Sequence, residues 1–379
     1  MVTLLSVSST DNEIQKEGIF MKAAIYHAAH EQLSIEDVEI DEPQGFELIV
    51  RTAASGVCHS DLHFVDGFYF MPGPAVLGHE AAGVVESVGP LVTEVKPGDH
   101  VIACLSIYCG KCERCLVGET HLCGNKPVRD PDSNPGLLWE GKGVRQFAGL
   151  GSYAEKMLLH ENAVVKIEKD MPLQQAALIG CGVTTGVGAA LKTANVQAGS
   201  TVVVFGAGGV GLSAIQGARI AGARTIIAVD RIEHKLATAR ELGATHSVDA
   251  STEDAVQKVQ ELTGGGADYA FECVGLKVLA EQCWAAIRPG GTATVVGMIP
   301  QGEMVEIPGP EFLREKKIQG SSMGSNHFKV DMPVYIDFYK RGLLRLDEMI
   351  TQTAPLSEVN DRLRAMRDGE VARSVLLFD

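Results

Sequence analysis

Short runs of alternating apolar and polar residues fill the first part of the chain. Between residues 22 and 170 these runs are separated by glycine and proline, with clear examples at 47–54, 81–89 and 99–104. Alternation over so few residues, punctuated in this way, is typical of β-strands joined by turns. The pattern therefore predicts an irregular, mostly antiparallel β domain.

The pattern changes at about residue 183, where apolar runs begin to alternate with helical segments. The strand-like runs at 201–205 and 225–230 are each followed by a segment of helical character, at 211–223 and 234–243. Strands that alternate with helices indicate βαβ units and a parallel sheet. Towards the end of the chain the pattern of apolar and polar residues is mixed again, and the last run is strand-like.

Two charge-free runs, Met171–Leu191 and Gly199–Ala218, are long enough to span a bilayer. Both are rich in Gly, Thr, Ser and Gln, so we expect buried strands and helices and no membrane span. Residues 1–20 are polar and slightly acidic, and they lack the basic start of a signal peptide. They predict a poorly ordered N-terminal extension.

Composition narrows the classes of protein that fit. The chain has 379 residues, enough for two domains, and its 45% hydrophobic and 21% charged residues are ordinary for a globular protein. A net charge of −15 lacks the basic excess of a nucleic-acid binder and disfavours an anionic membrane surface. Nine cysteines are too few for a small disulfide-stabilised scaffold, yet four of them fall between residues 109 and 123.

A G-x-G-x-x-G motif follows the first strand of the βαβ region and opens a helix, which is the context that a dinucleotide site requires. The glycines let the backbone approach a pyrophosphate, which then meets free N–H groups at the helix N-terminus. Asp230 ends the next strand, where a carboxylate accepts hydrogen bonds from both ribose hydroxyls and repels a 2′-phosphate. NAD is therefore favoured over NADP, although the adjacent Arg231 weakens the preference slightly. The residues predicted to bind the nucleotide on these grounds are Gly206, Gly208, Gly209, Gly211, Asp230 and Lys235.

The clustered cysteines are spaced as metal ligands. Two residues separate Cys109 from Cys112 and Cys112 from Cys115, and Cys123 follows after seven more. Four thiolates in one loop suit a closed tetrahedral zinc site, although four cysteines also ligate iron–sulfur clusters. We favour zinc, because the loop lies in a β-rich region without a second cluster. A site with no open position is structural, so this metal would hold a lobe of about residues 104–125 together.

Three further segments carry chemistry that points to a known family. The first runs from Cys58 to His63 and includes Ser60; the second is Gly78-His79-Glu80; the third centres on Cys181. Together with the four-cysteine lobe and the glycine motif, they resemble the zinc-dependent alcohol dehydrogenases of the medium-chain dehydrogenase/reductase superfamily. The resemblance runs from about residue 22 to the C-terminus.

The resemblance implies a second, catalytic zinc, held by Cys58, His79 and Cys181 with a fourth position open. That makes two zinc ions per subunit. Glu80 would lie behind this metal and assist exchange of the fourth ligand, and Asp61 would orient His79. An alcohol would lose its hydride to the nicotinamide and its proton through a relay. The residues implied in catalysis are Ser60 and His63 (the proton relay) and Glu80.

The same resemblance implies further contacts to cofactor and substrate. His59 and Arg373 would face the pyrophosphate, and Thr185 and Val210 would press on the nicotinamide ring. The implied substrate wall is almost entirely apolar, which suggests a bulky apolar primary or secondary alcohol that is oxidised reversibly to an aldehyde or ketone. The wall consists of Tyr69, Leu105, Phe147, Ala148, Met298 and Ser322.

The implied architecture is α/β: a GroES-like, β-rich catalytic domain plus a doubly wound Rossmann domain. The boundaries we expect are 21–182 and 325–379 for the catalytic domain and 183–324 for the NAD-binding domain. The resemblance also implies a homodimer, and six metal-bound thiolates that must stay reduced indicate the cytoplasm.

Two alternatives remain at this stage. One is an S-(hydroxymethyl)glutathione dehydrogenase, against which the stretches 67–70 and 124–127 lack the expected acids and arginine, with Arg129 two positions late. The other is a non-enzymatic NAD(H)-binding protein that has kept the fold, which loss of a zinc ligand or of the relay hydroxyl would support.

Overall fold

The computed structural model describes residues 18–379. Most of the predicted N-terminal extension, residues 1–17, lies outside the described residues. Its last two residues are not poorly ordered but open the first strand, Ile19–Tyr26. Ile19 pairs there with Ile40 in an antiparallel ladder, and this apolar pairing extends the strand beyond the predicted boundary.

The region up to residue 170 is β-rich, as predicted, and its antiparallel pairs outnumber parallel ones. Two short helices interrupt it, α1 (His59–Val65) and α2 (Glu113–Leu116). Its strands are β1 (Ile19–Tyr26), β2 (Ser34–Ile40), β3 (Glu47–Gly56), β4 (Ala75–Val76), β5 (Ala81–Val88), β6 (His100–Ala103), β7 (Leu137–Trp139), β8 (Lys142–Gly143), β9 (Arg145–Gln146), β10 (Lys156–His160) and β11 (Val164–Ile167).

A parallel six-stranded sheet follows, in the order β14-β13-β12-β15-β16-β17, with every neighbouring pair parallel. Its strands are β12 (Thr201–Phe205), β13 (Thr225–Asp230), β14 (His246–Asp249), β15 (Ala267–Glu272), β16 (Ile287–Val295) and β17 (Lys317–Gly320). The helices that precede and connect them are α3 (Leu173–Leu178), α4 (Thr184–Gly188), α5 (Gly209–Ile220), α6 (Glu233–Leu242), α7 (Ala255–Thr263) and α8 (Lys277–Ala286). The strand order reverses between β12 and β15, and ligands bind at such a switch point, outside the carboxyl ends of the strands.

The end of the chain returns to the β-rich part. Its elements are α9 (Phe328–Lys340), β18 (Gln352–Pro355), α10 (Val359–Arg367) and β19 (Ser374–Leu377). Strand β19 pairs antiparallel with β3 and completes a sheet ordered β11-β6-β5-β3-β19-β18, with β10 also on β3. A second sheet is ordered β8-β7-β2-β1-β4-β9. The parallel sheet is thus inserted in sequence between two parts of one β-rich unit.

A continuous helical segment, Leu173–Thr193, joins the two kinds of sheet, and the predicted boundary at residue 182 falls inside it. Its apolar residues share one core with Val202 and Val204 of β12 and with Phe328 of α9. It is the one helix among residues 18–379 whose length and composition would suit a membrane span, and 83% of its apolar window is buried in the protein. A helix buried to this extent belongs to the core of the protein, as the sequence predicts.

Candidate active site

Three ligand-type side chains from distant parts of the chain meet in the interior. Cys58 follows β3 at the start of α1, His79 lies between β4 and β5, and Cys181 lies in the helix Leu173–Thr193. All three are buried, and their sulfur and ring-nitrogen atoms lie within 4.8 Å of one another. Contact with Cys181 holds the pKa of Cys58 well below its ordinary value, which favours the thiolate that binds metals. The donor set fits a zinc site with three protein ligands.

The helix that carries Cys181 is wider than a regular α-helix around this residue. Residues Ile179–Val183 form a π-helical turn, a local widening that often occurs at functional sites. The flanking glycines let neighbouring groups come close: a Cβ on Gly180 would lie 2.8 Å from the carbonyl oxygen of Ala103, and one on Gly182 would lie 2.1 Å from Nη2 of Arg373. The Gly-Cys-Gly sequence therefore permits the packing that brings the thiol to the site.

Asp61 orients His79, as the sequence predicts, and does so within a larger network. Its Oδ1 atom lies 3.2 Å from Nδ1 of His79 and accepts the backbone N–H of Gly78 at 2.9 Å. Its Oδ2 atom accepts the hydroxyl of Tyr153 at 2.9 Å. Nε2 of His79 has no hydrogen-bond partner within residues 18–379, so this nitrogen is the one left for a metal. Tyr153 was not predicted from the sequence, because it lies far along the chain from the other site residues and belongs to no motif.

Glu80 is fully buried behind the same cluster. Its Oε2 atom accepts the N–H of Gly182 at 3.1 Å and lies 3.4 Å from Nη2 of Arg373. A Cβ on Gly56 would lie 2.2 Å from Oε1 of Glu80, so this glycine leaves room for the carboxyl group beside the strand that leads to Cys58. Burial raises the pKa of Glu80 to about 7, although Arg373 opposes the shift. The carboxyl group thus connects the metal-type cluster with the cationic Arg373.

An aromatic wall, formed by Phe64, Tyr69 and Phe147, stands beside the cluster. The Phe147 ring packs edge-on at 5.3 Å from His79 and 4.9 Å from Phe64, measured between ring centroids. The ring of Tyr69 lies 5.9 Å from those of Phe64 and His63, and its hydroxyl donates to the carbonyl oxygen of Ile299. Of the predicted wall residues, Phe147 therefore packs on His79 of the buried cluster, and Tyr69 lies one ring further out, against Phe64.

The other predicted wall residues lie on separate segments. Leu105 follows β6 and packs against the core around β3, β5 and β6. Ala148 is in a left-handed conformation next to Phe147, and Met298 touches Gly275, whose Cβ would lie 2.5 Å from the Met298 carbonyl oxygen. Ser322 is exposed and precedes Met323, whose sulfur lies 3.1 Å from Oγ1 of Thr185. Their membership in a substrate wall stays a prediction.

The two residues predicted to form a proton relay, Ser60 and His63, share the short helix α1. Ser60 Oγ lies 3.8 Å from the sulfur of Cys58, so this hydroxyl borders the metal-type cluster. His63, one turn later, is half-buried against the rings of Phe68 and Tyr69. Burial lowers the pKa of His63, which keeps the imidazole neutral and able to accept a proton.

A cleft of about 740 Å³ runs from Cys58 along the carboxyl ends of the parallel strands. Residues predicted from the glycine motif and from the resemblance line it together: His59, Gly206, Gly208, Gly209, Val210, Asp230, Lys235 and Arg373. Gly211 lies beneath, where a Cβ would be 1.8 Å from the carbonyl oxygen of Gly206, and it therefore allows α5 to approach β12. Asp230 accepts the N–H groups of Ala207 at 2.8 Å and Arg231 at 2.7 Å, which fixes its carboxylate at the cleft.

Arg373 supplies a buried cation to this cleft. Its Nη1 atom donates to the carbonyl oxygen of Val57 at 3.1 Å, whereas its Nε has no partner among the described residues. A Cβ on Gly209 would lie 2.6 Å from that nitrogen, so the guanidinium group lies against the N-terminus of α5. An unpaired N–H beside a helix N-terminus fits a phosphate group. The cleft thus has the groups expected of a dinucleotide-binding site.

The four remaining clustered cysteines form a second group in the lobe. Sulfur–sulfur distances are 3.5 Å for Cys112–Cys115, 3.8 Å for Cys112–Cys123 and 3.9 Å for Cys109–Cys115. Four sulfurs on a tetrahedron around zinc are about 3.8 Å apart, given a zinc–sulfur bond of about 2.3 Å. The backbone N–H of Lys111 lowers the pKa of Cys109 to about 6, which favours its thiolate. The donor set and spacing fit a closed zinc site.

Comparison with known proteins identifies the family. Residues 44–169 match the alcohol dehydrogenase GroES-like domain, and residues 209–341 match the zinc-binding dehydrogenase family. A curated relative, the NDMA-dependent alcohol dehydrogenase of Amycolatopsis methanolica, is 39% identical over 94% of this chain and 98% of its own. The chain belongs to the zinc-dependent alcohol dehydrogenase family. The S-(hydroxymethyl)glutathione dehydrogenase of Saccharomyces cerevisiae is also similar, at 38% identity over 94% of this chain and 96% of its own.

The solved structures agree with this family. Benzyl alcohol dehydrogenase from Acinetobacter calcoaceticus superimposes with a TM-score of 0.90 at 34% identity, covering 95% of this chain and all of its own. This alcohol dehydrogenase therefore has the predicted α/β architecture, a GroES-like domain with a Rossmann-type domain. It is a zinc-dependent oxidoreductase that acts on small-molecule alcohols or the corresponding carbonyl compounds with a nucleotide cofactor.

Proposed function

We propose that this alcohol dehydrogenase oxidises bulky apolar alcohols, aromatic ones above all, and uses NAD as the hydride acceptor. The observation that carries the substrate class is the aromatic wall, whose Phe147 ring packs edge-on against His79. Rings prefer edge-to-face contacts, so a planar aromatic substrate gains from such surroundings. Among the wall residues and those predicted beside them there is no charged side chain to hold a phosphate or an acid.

The zinc assignment follows from the two thiolate clusters. Cys58, His79 and Cys181 would hold the catalytic ion, and Cys109, Cys112, Cys115 and Cys123 would hold a structural ion, giving two per subunit. When bound, the catalytic zinc supplies a Lewis acid that makes the alcohol proton more acidic, and NAD accepts the hydride. Asp61 positions the His79 ring, and Glu80 lies close enough to the cluster to assist ligand exchange.

The alcohol proton has to leave a site whose three ligand side chains are buried. The Ser60 hydroxyl, beside Cys58, is the group that would accept it first, and His63 would pass it on to solvent. The low pKa that burial gives His63 suits a group that accepts a proton and releases it again. Burial thus favours the neutral form of His63, which can accept a proton.

The cofactor would lie along the cleft with its pyrophosphate between Arg373 and the N-terminus of α5. His59 would add a second contact to the pyrophosphate, and Lys235 would reach the ribose near Asp230. The backbone at Gly206, Gly208 and Gly209, which line the cleft, would approach the pyrophosphate, and Gly211 allows α5 to pack against β12. Thr185 and Val210 would press on the nicotinamide ring.

The S-(hydroxymethyl)glutathione dehydrogenase alternative has less support in the residues of this chain, although the chain is similar to the Saccharomyces cerevisiae enzyme of that name. Arg129, the arginine closest to the expected position, pairs with Glu47 at 2.6 Å and Asp41 at 2.6 Å and donates to nearby carbonyl oxygens. Its guanidinium group is thus already paired with two carboxylates of this chain. The non-enzymatic alternative is disfavoured because the ligand set and the Ser60 hydroxyl are all present.

The remaining proposals concern domains and assembly. We propose a catalytic domain of residues 21–182 and 325–379, to which Ile19 and Phe20 add the start of the first strand, and an NAD-binding domain of residues 183–324. In the described part of the chain, β17 pairs on one side only, with β16, and the nearby Met304 and Leu313 side chains are 77% and 91% exposed. An open strand edge with exposed apolar neighbours suits pairing with a second copy, so we propose a homodimer. Six thiolates that must stay reduced favour the cytoplasm.

A screen of alcohols tests the proposed substrate class. We expect benzylic and cyclic alcohols to give higher kcat/KM than ethanol with NAD, and formaldehyde to react no better when glutathione is added. Phe147→Ala should lower kcat/KM for benzyl alcohol by about fivefold, because an aromatic contact contributes about 1 kcal/mol, and it should leave ethanol oxidation nearly unchanged. NAD reduction followed by absorbance measures both, with NDMA as a second acceptor. A strict requirement for glutathione would contradict the proposal.

Substitution of Asp230 tests the choice of nucleotide. Asp230→Gly removes two hydrogen bonds to a charged group, and kcat/KM for NAD is expected to fall by about a hundredfold, while that for NADP rises. Asp230→Asn is the matched control, because it removes the charge but keeps one accepting oxygen, which can still bind one of the two N–H groups, that of Ala207 or that of Arg231. The Asp230→Asn variant should mainly reduce the electrostatic repulsion of the 2′-phosphate of NADP. An unchanged NAD-to-NADP ratio in both variants would rule out the ribose role.

A further inference from the structure

The last residues of α10 and the turn that follows them reach across to the nucleotide-binding side of the cleft. Met366, Arg367, Asp368 and Gly369, here called the C-terminal turn, line the cleft together with Asp230, Ile232 and Lys235 of the parallel-sheet region. The turn belongs to the β-rich part of the chain, since β19 follows it and pairs with β3. The ribose end of the cleft is thus bounded by both parts of the molecule.

The approach is close at Gly369. A Cβ added there would lie 2.7 Å from Cδ1 of Ile232 and 3.7 Å from Nζ of Lys235, and the residue has a φ of +75°. Glycine is therefore the residue that allows the turn to lie directly on the start of α6, beside Asp230. A nucleotide whose ribose sits at Asp230 would have this turn as a neighbour.

One ion pair fastens the turn to the helix that carries the relay. Arg367 binds Asp66 with both ends of its guanidinium fork: Nε lies 3.3 Å from Oδ2, and Nη2 contacts Oδ1. Asp66 immediately follows α1, which carries His59, Ser60 and His63. Its carboxylate is 22% exposed and does not line the cleft itself, whereas its partner Arg367 does.

We propose that the Asp66–Arg367 pair holds the C-terminal turn closed over the ribose end of the cleft and thereby slows dissociation of the nucleotide. The proposal rests on the proposed function, since it needs NAD(H) in this cleft. Forked arginine–carboxylate contacts fix geometry better than single ones, and this pair spans residues far apart in the sequence. Asp66 and Arg367 are thus positioning residues for cofactor exchange.

The rate of NADH dissociation tests this directly. It is measured by stopped-flow fluorescence with the zinc-loaded enzyme, for the wild type, Asp66→Asn, Arg367→Met and the double variant. Each single change should accelerate release by about two- to fivefold, the upper part of the range for a surface ion pair, and the double variant should release NADH no faster than either. Arg367→Lys, which keeps the charge without the fork, should fall between. Asp66→Asn removes a negative charge from a helix C-terminus, so it does not weaken α1.

The pair Arg364–Asp361 on the same helix provides the matched control. Its atoms lie 2.8 Å apart, it is more exposed, and it does not line the cleft. Arg364→Met and Asp361→Asn should therefore leave NADH release unchanged. Release from Asp66→Asn at the wild-type rate, or equal acceleration by the control variants, would overturn the inference while leaving the proposed function intact. A wild-type enzyme that binds no NADH would overturn both.

Discussion

Cys58→Ser is expected to lower kcat/KM for alcohol oxidation by about a thousandfold or more, because the catalytic zinc contributes several kcal/mol to the transition state. The three buried ligand atoms lie within 4.8 Å of one another, and a hydroxyl in place of one thiolate binds zinc poorly. NADH binding should be largely retained, since Arg373 and the glycine motif are untouched. Steady-state kinetics, NADH fluorescence titration and zinc analysis are the measurements, and one zinc per subunit should remain.

Cys283→Ser is the matched control for this change. Cys283 is fully buried in α8 and belongs to neither cysteine cluster, so the same exchange of thiol for hydroxyl should leave activity and both zinc ions in place. Near-normal activity of Cys58→Ser with one zinc lost would remove the catalytic assignment of this cluster.

The second large effect is expected from Cys112→Ser in the lobe. Neither α2 nor the turn Thr120–Leu122 buries a single residue, and Leu116 and Val117 are 74% and 64% exposed. The lobe therefore has little apolar core of its own, and metal binding is what would fold it. Loss of the ion should cost about 3 kcal/mol or more and lower the Tm by about 10 °C.

Three measurements follow this change: zinc content, thermal unfolding by circular dichroism, and limited proteolysis of residues 104–125. The variant should keep the catalytic zinc and lose the structural one, and protease should cut within the lobe first. Cys283→Ser serves again as the control, because it alters a buried thiol without touching a cluster. A variant with two zinc ions and an unchanged Tm would contradict a structural role for this site.

Local patterns in the sequence predicted those parts of the site that depend on neighbouring residues. The lobe cysteines and the glycines of the dinucleotide motif each lie within one short segment, where spacing alone constrains geometry. The change from alternating to helical periodicity likewise predicted two kinds of sheet in their observed order. The end of the N-terminal extension was predicted too late, because the pairing of Ile19 with Ile40 cannot be read from either segment alone.

What this sequence determined by itself is its chemistry: which thiols, imidazoles and glycines are present and how far apart they lie along the chain. Only the tertiary structure decided which distant groups meet. Tyr153 binds Asp61 from across 92 residues, and Arg367 binds Asp66 from across 301. The physical reason is that hydrogen bonds and ion pairs between remote segments depend on how the sheets pack. Packing is settled by the whole core and leaves no periodic signal in the residues that happen to face each other.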